Sequence, residues 1–422
     1  MAYIPPHKRH SKDAETPPPS PASLPPRFKQ SLTLASPHLH GRRRGDLSSS
    51  SSSFQHGGGK IVYAAHCVSR WWLAGIVGGV GVGGGGVPES LRLEPFPCEI
   101  VERRSGAKPL VVAATADDGG KEEEEERPWV GIARRVEQNL VASARSAREE
   151  LDAGDGNAKL SFVARVGKVL FHGDPSTCLN SIRKAAVAEE GFKNRVHKSF
   201  YTNVPNEFMK NVEQLIVKSI GFDFESEREH YHVKVFDKHQ PDSTISCKCT
   251  VRKDGGLELY KIELNQVRHM VVDISCLHKD LDLRLILVTK KLLKNLDDEV
   301  ENGINQLISS AIIDSEVKGG LRWPFGKESV AERFSVVGVW LTRYKAYRSK
   351  TMRLKLRHAD RFDHKTSTGE VANEVTLKLS AISELLREGN LEETPVGEML
   401  EATVKLVWEK FLSYSVSPAL PS

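Results

Sequence analysis

Apolar residues recur every three or four positions in four stretches of the chain, and this spacing is typical of amphipathic helices. The predicted helices span residues 128–151, 205–219 and 297–313, and a last one begins at Thr394 with Pro395 in its first position. Pro128 also stands near a first turn, where the missing N–H removes no helical hydrogen bond.

Strict alternation of apolar and polar residues predicts strands between these helices. The main candidates are residues 159–171, 231–237, 243–252, 257–264, 270–275, 281–289, 334–344, 351–357 and 374–379, with shorter ones at 60–64, 91–93, 98–103 and 109–113. Closing such a sheet removes exposed edges. We therefore predict an α+β fold, a closed or nearly closed antiparallel β-tunnel or barrel with flanking helices.

Composition divides the chain into four segments. Proline, serine, glycine and histidine dominate the start, which lacks the aliphatic residues that a core needs. The segments are a disordered basic tail (1–57), a small β-rich extension with a glycine-rich loop and an acidic linker (58–127), a helix (128–154) and the tunnel-like domain (155–415).

Charge and cysteine content narrow the functional classes. The net charge is only +5, but the tail is locally basic, which suits either an anionic partner such as nucleic acid or a solvated tail with no partner. Six cysteines and no signal peptide predict reduced thiols in the nucleus or cytoplasm. No stretch reads as a membrane span, so we expect no membrane partner.

The strand at 351–357 has one apolar and one basic face. Its apolar residues are Met352, Leu354 and Leu356, and Arg353, Lys355 and Arg357 alternate with them. Three cations on one face repel each other unless an anion or carboxylates lie beside them. On an outer surface they would be solvated, whereas in a tunnel they would form an anion site.

Aromatic and basic residues alternate just before this strand. They are Trp340, Tyr344 and Tyr347, with Arg343, Lys345, Arg348 and Lys350 between and after them. Bases stack on aromatic rings while cations contact the backbone, so this mixture suits single-stranded RNA. Core aromatic residues with solvated cations are the other interpretation.

The order of elements resembles the metal-dependent RNA triphosphatases of fungi and protists. The matching elements, within residues 158–385, are a first strand at 160–169, the helix that contains Phe208, an Asp-x-Arg element at Asp282–Arg284 and a late strand at 374–378. The resemblance implies an eight-stranded antiparallel tunnel with glutamates at alternate positions of its first and late strands.

The departures from that pattern are informative. The two first-strand glutamates fall on Ser161 and Val163, and Glu374 is the one late-strand carboxylate that remains. A divalent cation needs several oxygen ligands, so the resemblance implies a catalytically silent tunnel, as in the similar kinetoplastid guide-RNA-associated proteins. We expect no catalytic residue, metal or cofactor. The candidate phosphate-binding residues are Arg165, Arg284, Arg343, Lys345, Arg353, Lys355, Arg357 and Lys378.

The first ten residues resemble the start of an uncharacterised plant protein family. The segment Tyr3, Ile4, Pro5, Pro6, His7, Lys8, Arg9 also resembles a short motif near the N-terminus of DEAD-box translation helicases. Consecutive prolines favour an extended conformation that docks at a low entropic cost. The segment is therefore a candidate partner motif.

Two other motifs have weak support. Cys247 and Cys249, with Cys276 and His278, offer four soft ligands, but one intervening residue is too few for a zinc knuckle, and ordinary strand cysteines are favoured. The glycine-rich run 81–86 fits a phosphate-loop pattern without a following helix. The sequence thus predicts a non-catalytic RNA-binding or ribonucleoprotein-associated factor. A divergent metal-dependent phosphohydrolase acting on triphosphate ends and a protein-interaction scaffold remain alternatives.

Overall fold

The computed structural model describes residues 62–64, 69–74, 91–114, 127–152, 158–174, 186–188, 196–241, 244–293, 296–388 and 396–414. Its helices are α1 Glu99–Ser105, α2 Pro128–Asp152, α3 (Asn206–Asn211, the π-helical turn Val212–Ile216 and Val217–Ile220), α4 Asp298–Ser309, α5 Ser380–Glu388 and α6 Val396–Lys410. No helix in this part of the chain is long and apolar enough to span a membrane.

The strands alternate with these helices along the chain. They are β1 Val62–Tyr63, β2 Ser69–Ala74, β3 Leu91–Pro95, β4 Leu110–Ala114, β5 Ala158–Gly173, β6 Ala186–Ala188, β7 Val196–Tyr201, β8 Asp223–Asp237, β9 Thr244–Val251, β10 Leu257–Leu264, β11 Val267–Ser275, β12 Asp282–Lys291, β13 Ile312–Ile313, β14 Leu321–Arg322, β15 Ser329–Val330, β16 Phe334–Arg348, β17 Arg353–Asp363 and β18 Thr368–Lys378. The fold is mixed α+β, as predicted.

One large sheet contains most of the described strands. Its main path is β10-β9-β8-β16-β17-β18-β5-β12-β11-β2-β6. All of the pairs along this path are antiparallel except that of β2 with β11. Long β5 also pairs with β7 through its second half, which joins a smaller group of strands to the main sheet.

Hydrogen bonds do not close the sheet into a barrel. The eight strands from β10 to β12 follow one another without interruption, but among the residues that the structure describes no paired ladder joins the two ends. The chain that leaves β12 meets β10 at one bridge, Glu263 with Leu292, and the Leu293 N–H donates to the Ile262 carbonyl at 3.2 Å. The strand pairing therefore leaves the predicted closed or nearly closed barrel unconfirmed.

Helices cover one face of this sheet. Apolar residues of α2, α3, α5 and α6 pack on β5, β11, β12, β17 and β18, with Phe162, Leu285 and Leu354 fully buried among them. A second cluster places Ile304 and Leu307 of α4 against β8, β9 and β16. Because side chains alternate along a strand, the remaining positions of these strands lie on the opposite face.

Some elements differ from the predicted ones. Residues 98–103 were predicted as a strand but begin helix α1, which has Glu99 and Glu102 in its first turn and ends at Gly106 with a left-handed φ of 73°. Acidic residues in the first turn interact favourably with the helix dipole, and a left-handed glycine after the last turn caps the C-terminus, so both features favour a helix. Strand β8 begins at Asp223, eight residues before the predicted start at Tyr231.

Candidate functional site

The pairing register brings basic residues of several strands into one row. Arg165 of β5 lies opposite Arg284 of β12 on one side and Thr376 of β18 on the other. Thr376 lies opposite Lys355 of β17. Directly paired residues point to the same face of a sheet, so Arg165, Arg284 and Lys355 share a face.

The neighbouring rows extend this face. Arg357 lies between Tyr344 of β16 and Glu374 of β18, and Arg353 lies opposite Lys378. We call the face of β5, β8–β10, β12 and β16–β18 that lies opposite the helix-covered core the cationic face. Six of the predicted binding residues are on it: Arg165, Arg284, Arg353, Lys355, Arg357 and Lys378.

The other two predicted binding residues lie on the opposite face of the sheet. Lys345 is paired with Leu356, which belongs to the helix-covered core. Its ammonium contacts the Glu213 carboxylate of α3 at 2.6 Å, and Arg343 forms an ion pair with Glu229 of β8. The sheet therefore separates Arg343 and Lys345 from the six.

Arg165 is the centre of the cationic face. Its Nε atom is buried and has no hydrogen-bond partner. Burial lowers the pKa of Arg165 to about 10, Glu374 opposes this, and Arg357 and Arg268 lower it further. A guanidinium with such a pKa is still charged at neutral pH. The Nε–H of Arg165 is therefore a buried donor from which an anion can accept a hydrogen bond.

Glu374 is a carboxylate enclosed by arginines. It accepts hydrogen bonds from the Thr202 hydroxyl at 2.8 Å and from Arg357 Nη1 at 3.1 Å, and it pairs with Arg361. Burial alone would raise its pKa, but Arg361, Arg357 and Arg165 hold the pKa well below the usual range. Its two oxygens are thus engaged by cations.

Two lysines on the cationic face have no carboxylate within ion-pair distance among the described residues. The Lys355 ammonium lies over the Tyr344 ring, 4.5 Å from its centroid. Burial, with Arg353 and Arg357 nearby, lowers the pKa of Lys355 to about 7. Burial likewise lowers the pKa of Lys290 to about 7, and Glu263 only partly compensates.

Strand β8 adds residues that the sequence analysis did not assign. His232 lies opposite Trp340, and its Nε2 pairs with the Ser246 hydroxyl. Lys234 lies over the Trp340 ring at 4.7 Å, and burial lowers the pKa of Lys234 to about 8. Burial and nearby cations, Lys248 first, also lower the pKa of His230 to about 4. The sequence feature that could have identified His230, His232 and Lys234 is their alternation with buried Tyr231, Val233 and Val235.

Arg284 is occupied by protein partners. Its guanidinium binds Asp273 of β11, with Nη2 2.8 Å from Oδ2, and it lies 4.6 Å from the centre of the Phe200 ring. Lys198 of β7 binds the same carboxylate. Burial would raise the pKa of Asp273, but Arg284 and Lys198 hold it well below its usual range. This cluster joins β7 to the sheet, and we place Arg284 outside the binding site.

The residues present do not fit a divalent metal. Ser161 and Val163 alternate with Arg165 on the cationic face and supply no carboxylate. The described part of the chain contains no group of three His, Cys, Asp or Glu side chains that could hold an ion. Cys247 and Cys249 are buried in the apolar cluster beneath α4 instead.

Two sequence motifs lie outside the described residues. They are the partner motif Tyr3–Arg9 and the glycine-rich run 81–86. Both remain predictions.

A family model described as a domain of unknown function (DUF7903) matches residues 55–411. The match covers most of the chain, so the protein belongs to this family. No curated protein matches the chain.

Solved structures of RNA triphosphatases are similar to this chain at low scores. S. pombe Pct1 RNA triphosphatase in complex with the Spt5 CTD has a TM-score of 0.40 and 9% identity, over 68% of this chain and 94% of that one. The structure of S. pombe Pct1 RNA triphosphatase without the CTD has a TM-score of 0.38 and 9% identity, over 70% of this chain and 95% of that one. The Mimivirus capping enzyme triphosphatase has a TM-score of 0.28 and 8% identity, over 61% of this chain and 96% of that one. Likeness at this level does not assign a chemistry, which must come from the residues themselves.

Proposed function

We propose that the cationic face binds the phosphate groups of RNA and does not hydrolyse them. The observation that supports this most directly is the surroundings of Arg165. One carboxylate, Glu374, acts on it together with three other arginines, Arg357, Arg268 and Arg284. Arg284 is neutralised by Asp273, which leaves an excess of positive charge and an unpartnered buried N–H.

Unmatched buried cations are costly for a fold. Removing a charge from water costs several kcal/mol unless a partner compensates. Arg165, Lys290 and Lys355 are partly buried, so each carries part of this cost, and none of them has an ion pair among the described residues. A bound polyanion would supply the missing partner, and phosphate oxygens match both guanidinium and ammonium donors.

The shape and composition of the face favour a single strand. In this proposal the eight strands from β10 to β12 act as a tunnel, with the Glu263–Leu292 bridge at its seam. Tyr344 and Trp340 bring aromatic rings to the same face as the cations. Single-stranded nucleic acids use this combination of backbone cations and stacking rings.

The arrangement of Glu374 argues against hydrolysis. A metal-assisted phosphohydrolase needs several carboxylates that are free to bind the ion. Here Arg357, Arg361 and Thr202 already bind both Glu374 oxygens. We therefore expect the full chain to release no phosphate from triphosphate-ended RNA with Mg²⁺ or Mn²⁺, and metal-dependent release would favour the phosphohydrolase alternative.

Binding of a labelled single-stranded RNA to the full chain over a salt series tests the proposal. The Lys290→Gln/Lys355→Gln variant removes two cations that have no ion pair with any residue the structure describes, so it should fold normally. We expect affinity to fall about tenfold or more, and the slope of log K against log salt to decrease by about 0.7 for each lost phosphate contact.

Variants of the opposite face are the matched control. Arg343→Gln/Lys345→Gln removes the same number of charges from neighbouring positions and should leave affinity and slope unchanged. Equal losses in both double variants would mean that general surface charge causes binding. Absence of binding by the wild type would contradict the proposal and favour the protein-interaction scaffold.

A further inference from the structure

Lys290 and Lys355 are held close to several cations on the cationic face. Lys290 of β12 lies directly opposite Lys159 of β5, and the charged groups that act on it most strongly are Glu263 of β10, Lys248 of β9, Arg165 of β5 and Arg357 of β17. Those around Lys355 are Arg353 and Arg357 of its own strand, Lys290 of β12 and Lys248 of β9. Glu263 is the one carboxylate in these two sets.

The carboxylate that acts on Lys290 is already shared. Glu263 is buried and accepts Lys248 Nζ at 2.9 Å and Lys261 Nζ at 2.6 Å. Burial would raise the pKa of Glu263, but Lys248 and Lys261 lower it to about 2. Its charge is therefore shared with two other lysines, and it only partly offsets the effect of burial on Lys290.

We infer that polyanion binding at the cationic face is coupled to proton uptake by Lys290 and Lys355. This inference rests on the proposed function and adds its regulation by pH. Without an anion, each amine loses its proton near neutral pH because burial disfavours the ammonium form and the neighbouring cations add to this effect. A bound phosphate backbone reverses the local potential, so each amine takes a proton from the buffer and becomes an ammonium that contacts the anion.

The lowered pKa values of about 7 agree with this geometry. An amine with such a pKa is partly neutral at slightly alkaline pH, and an adjacent anion raises its pKa again. The uptake then follows from linkage, because the complex holds more protons than the free components. Binding should become tighter as the pH falls through this range.

Isothermal calorimetry of the full chain with oligoadenylate at about pH 7.5 measures the uptake. The probe should lack terminal phosphates, since a phosphate monoester titrates near pH 6 and would take up protons itself. Two buffers with different ionisation enthalpies give the number of protons bound per complex. We expect uptake on the order of one proton, and no uptake despite binding would overturn the inference alone.

Two double variants complete the test. Lys290→Arg/Lys355→Arg keeps both charges without a titrating amine, so it should bind the RNA with no uptake and little pH dependence. Lys290→Gln/Lys355→Gln should bind weakly and take up no proton, whereas Lys345→Gln should behave like the wild type. Wild-type-like uptake in the arginine variant would overturn the inference. If the wild type binds no RNA between about pH 6 and 9, the proposed function fails as well.

Discussion

Lys345 and Lys355 lie one residue out of register on neighbouring strands, yet their surroundings are opposite. Lys345 lies on the opposite, helix-covered side of the sheet, which we call the outer face. There a hydrogen bond to Glu213 raises the pKa of Lys345. Lys355 belongs to the cationic face, where burial and neighbouring cations lower its pKa to about 7. Lys345 is thus paired within the protein, whereas Lys355 has no ion pair among the described residues.

The same contrast extends along both faces. On the outer face, Arg343 pairs with Glu229 of the adjacent strand β8. On the cationic face, Glu374 is shared by Arg357 and Arg361, and Arg165 depends on the same carboxylate. A basic composition alone therefore does not define a binding surface, because the location of the carboxylates decides which cations are available.

Substitution Glu374→Gln should produce the largest effect on this contrast. It leaves three arginines around a buried site without their one carboxylate, which costs about 3–5 kcal/mol. Urea unfolding of the full chain measures the free energy of unfolding. We also expect sulfate to stabilise the variant more than the wild type, since an anion replaces the lost charge.

The control for this substitution is a carboxylate of the outer face. Sulfate stabilises most proteins through exclusion from their surface, so Glu229→Gln shows the general part of that effect. Equal stabilisation of the two variants by sulfate would mean that the cationic face does not bind anions.

Substitution Lys355→Met should have the next largest effect, and of the opposite sign. It removes a partly buried cation that forms no ion pair within the described part of the chain, and it keeps the apolar stem, so stability should rise by about 1–2 kcal/mol at neutral pH. The affinity for RNA should fall in the same variant. A Lys355→Met variant that is more stable but binds RNA less tightly would show that Lys355 serves binding and not stability.

The pH dependence of unfolding gives this prediction a signature. Unfolded lysine holds its proton up to about pH 10.4, whereas folded Lys355 releases it above about 7. The unfolded state therefore binds more protons between these values, and the contribution of Lys355 to stability rises with pH across the window and is lost as the pH falls to about 7. Lys355→Met should flatten the rise, and an unchanged slope would contradict the lowered pKa.

The two faces of β17 could be predicted because its sequence alternates between basic and apolar residues. The pattern at 351–357 identified Leu354 and Leu356 as core and Lys355 as part of a basic face, and burial confirms that Leu354 and Leu356 are core. The helices α2 and α6 were likewise predicted from their spacing. Local periodicity was sufficient for these elements.

The composition of the site could not be predicted in the same way. Which cations meet a carboxylate depends on pairing between strands far apart in sequence, such as β8 with β16. The first part of β8, Asp223–His230, was missed because polar residues occupy both of its faces and leave no alternation to detect. Lys290 was overlooked for the related reason that its neighbours come from distant strands.

Substitution Glu229→Gln should have the smallest effect and sharpens the comparison from the outer face. It leaves Arg343 without its partner, but both side chains are largely exposed, at 63% and 44%. Exposed ion pairs contribute about 0–1 kcal/mol, so the free energy of unfolding should change little, and Arg343 becomes an available surface cation. If RNA affinity then rises as much as Lys355→Met lowers it, surface cations bind as well as buried ones. An unchanged affinity would mean that enclosure on the cationic face, rather than charge alone, is what binding requires.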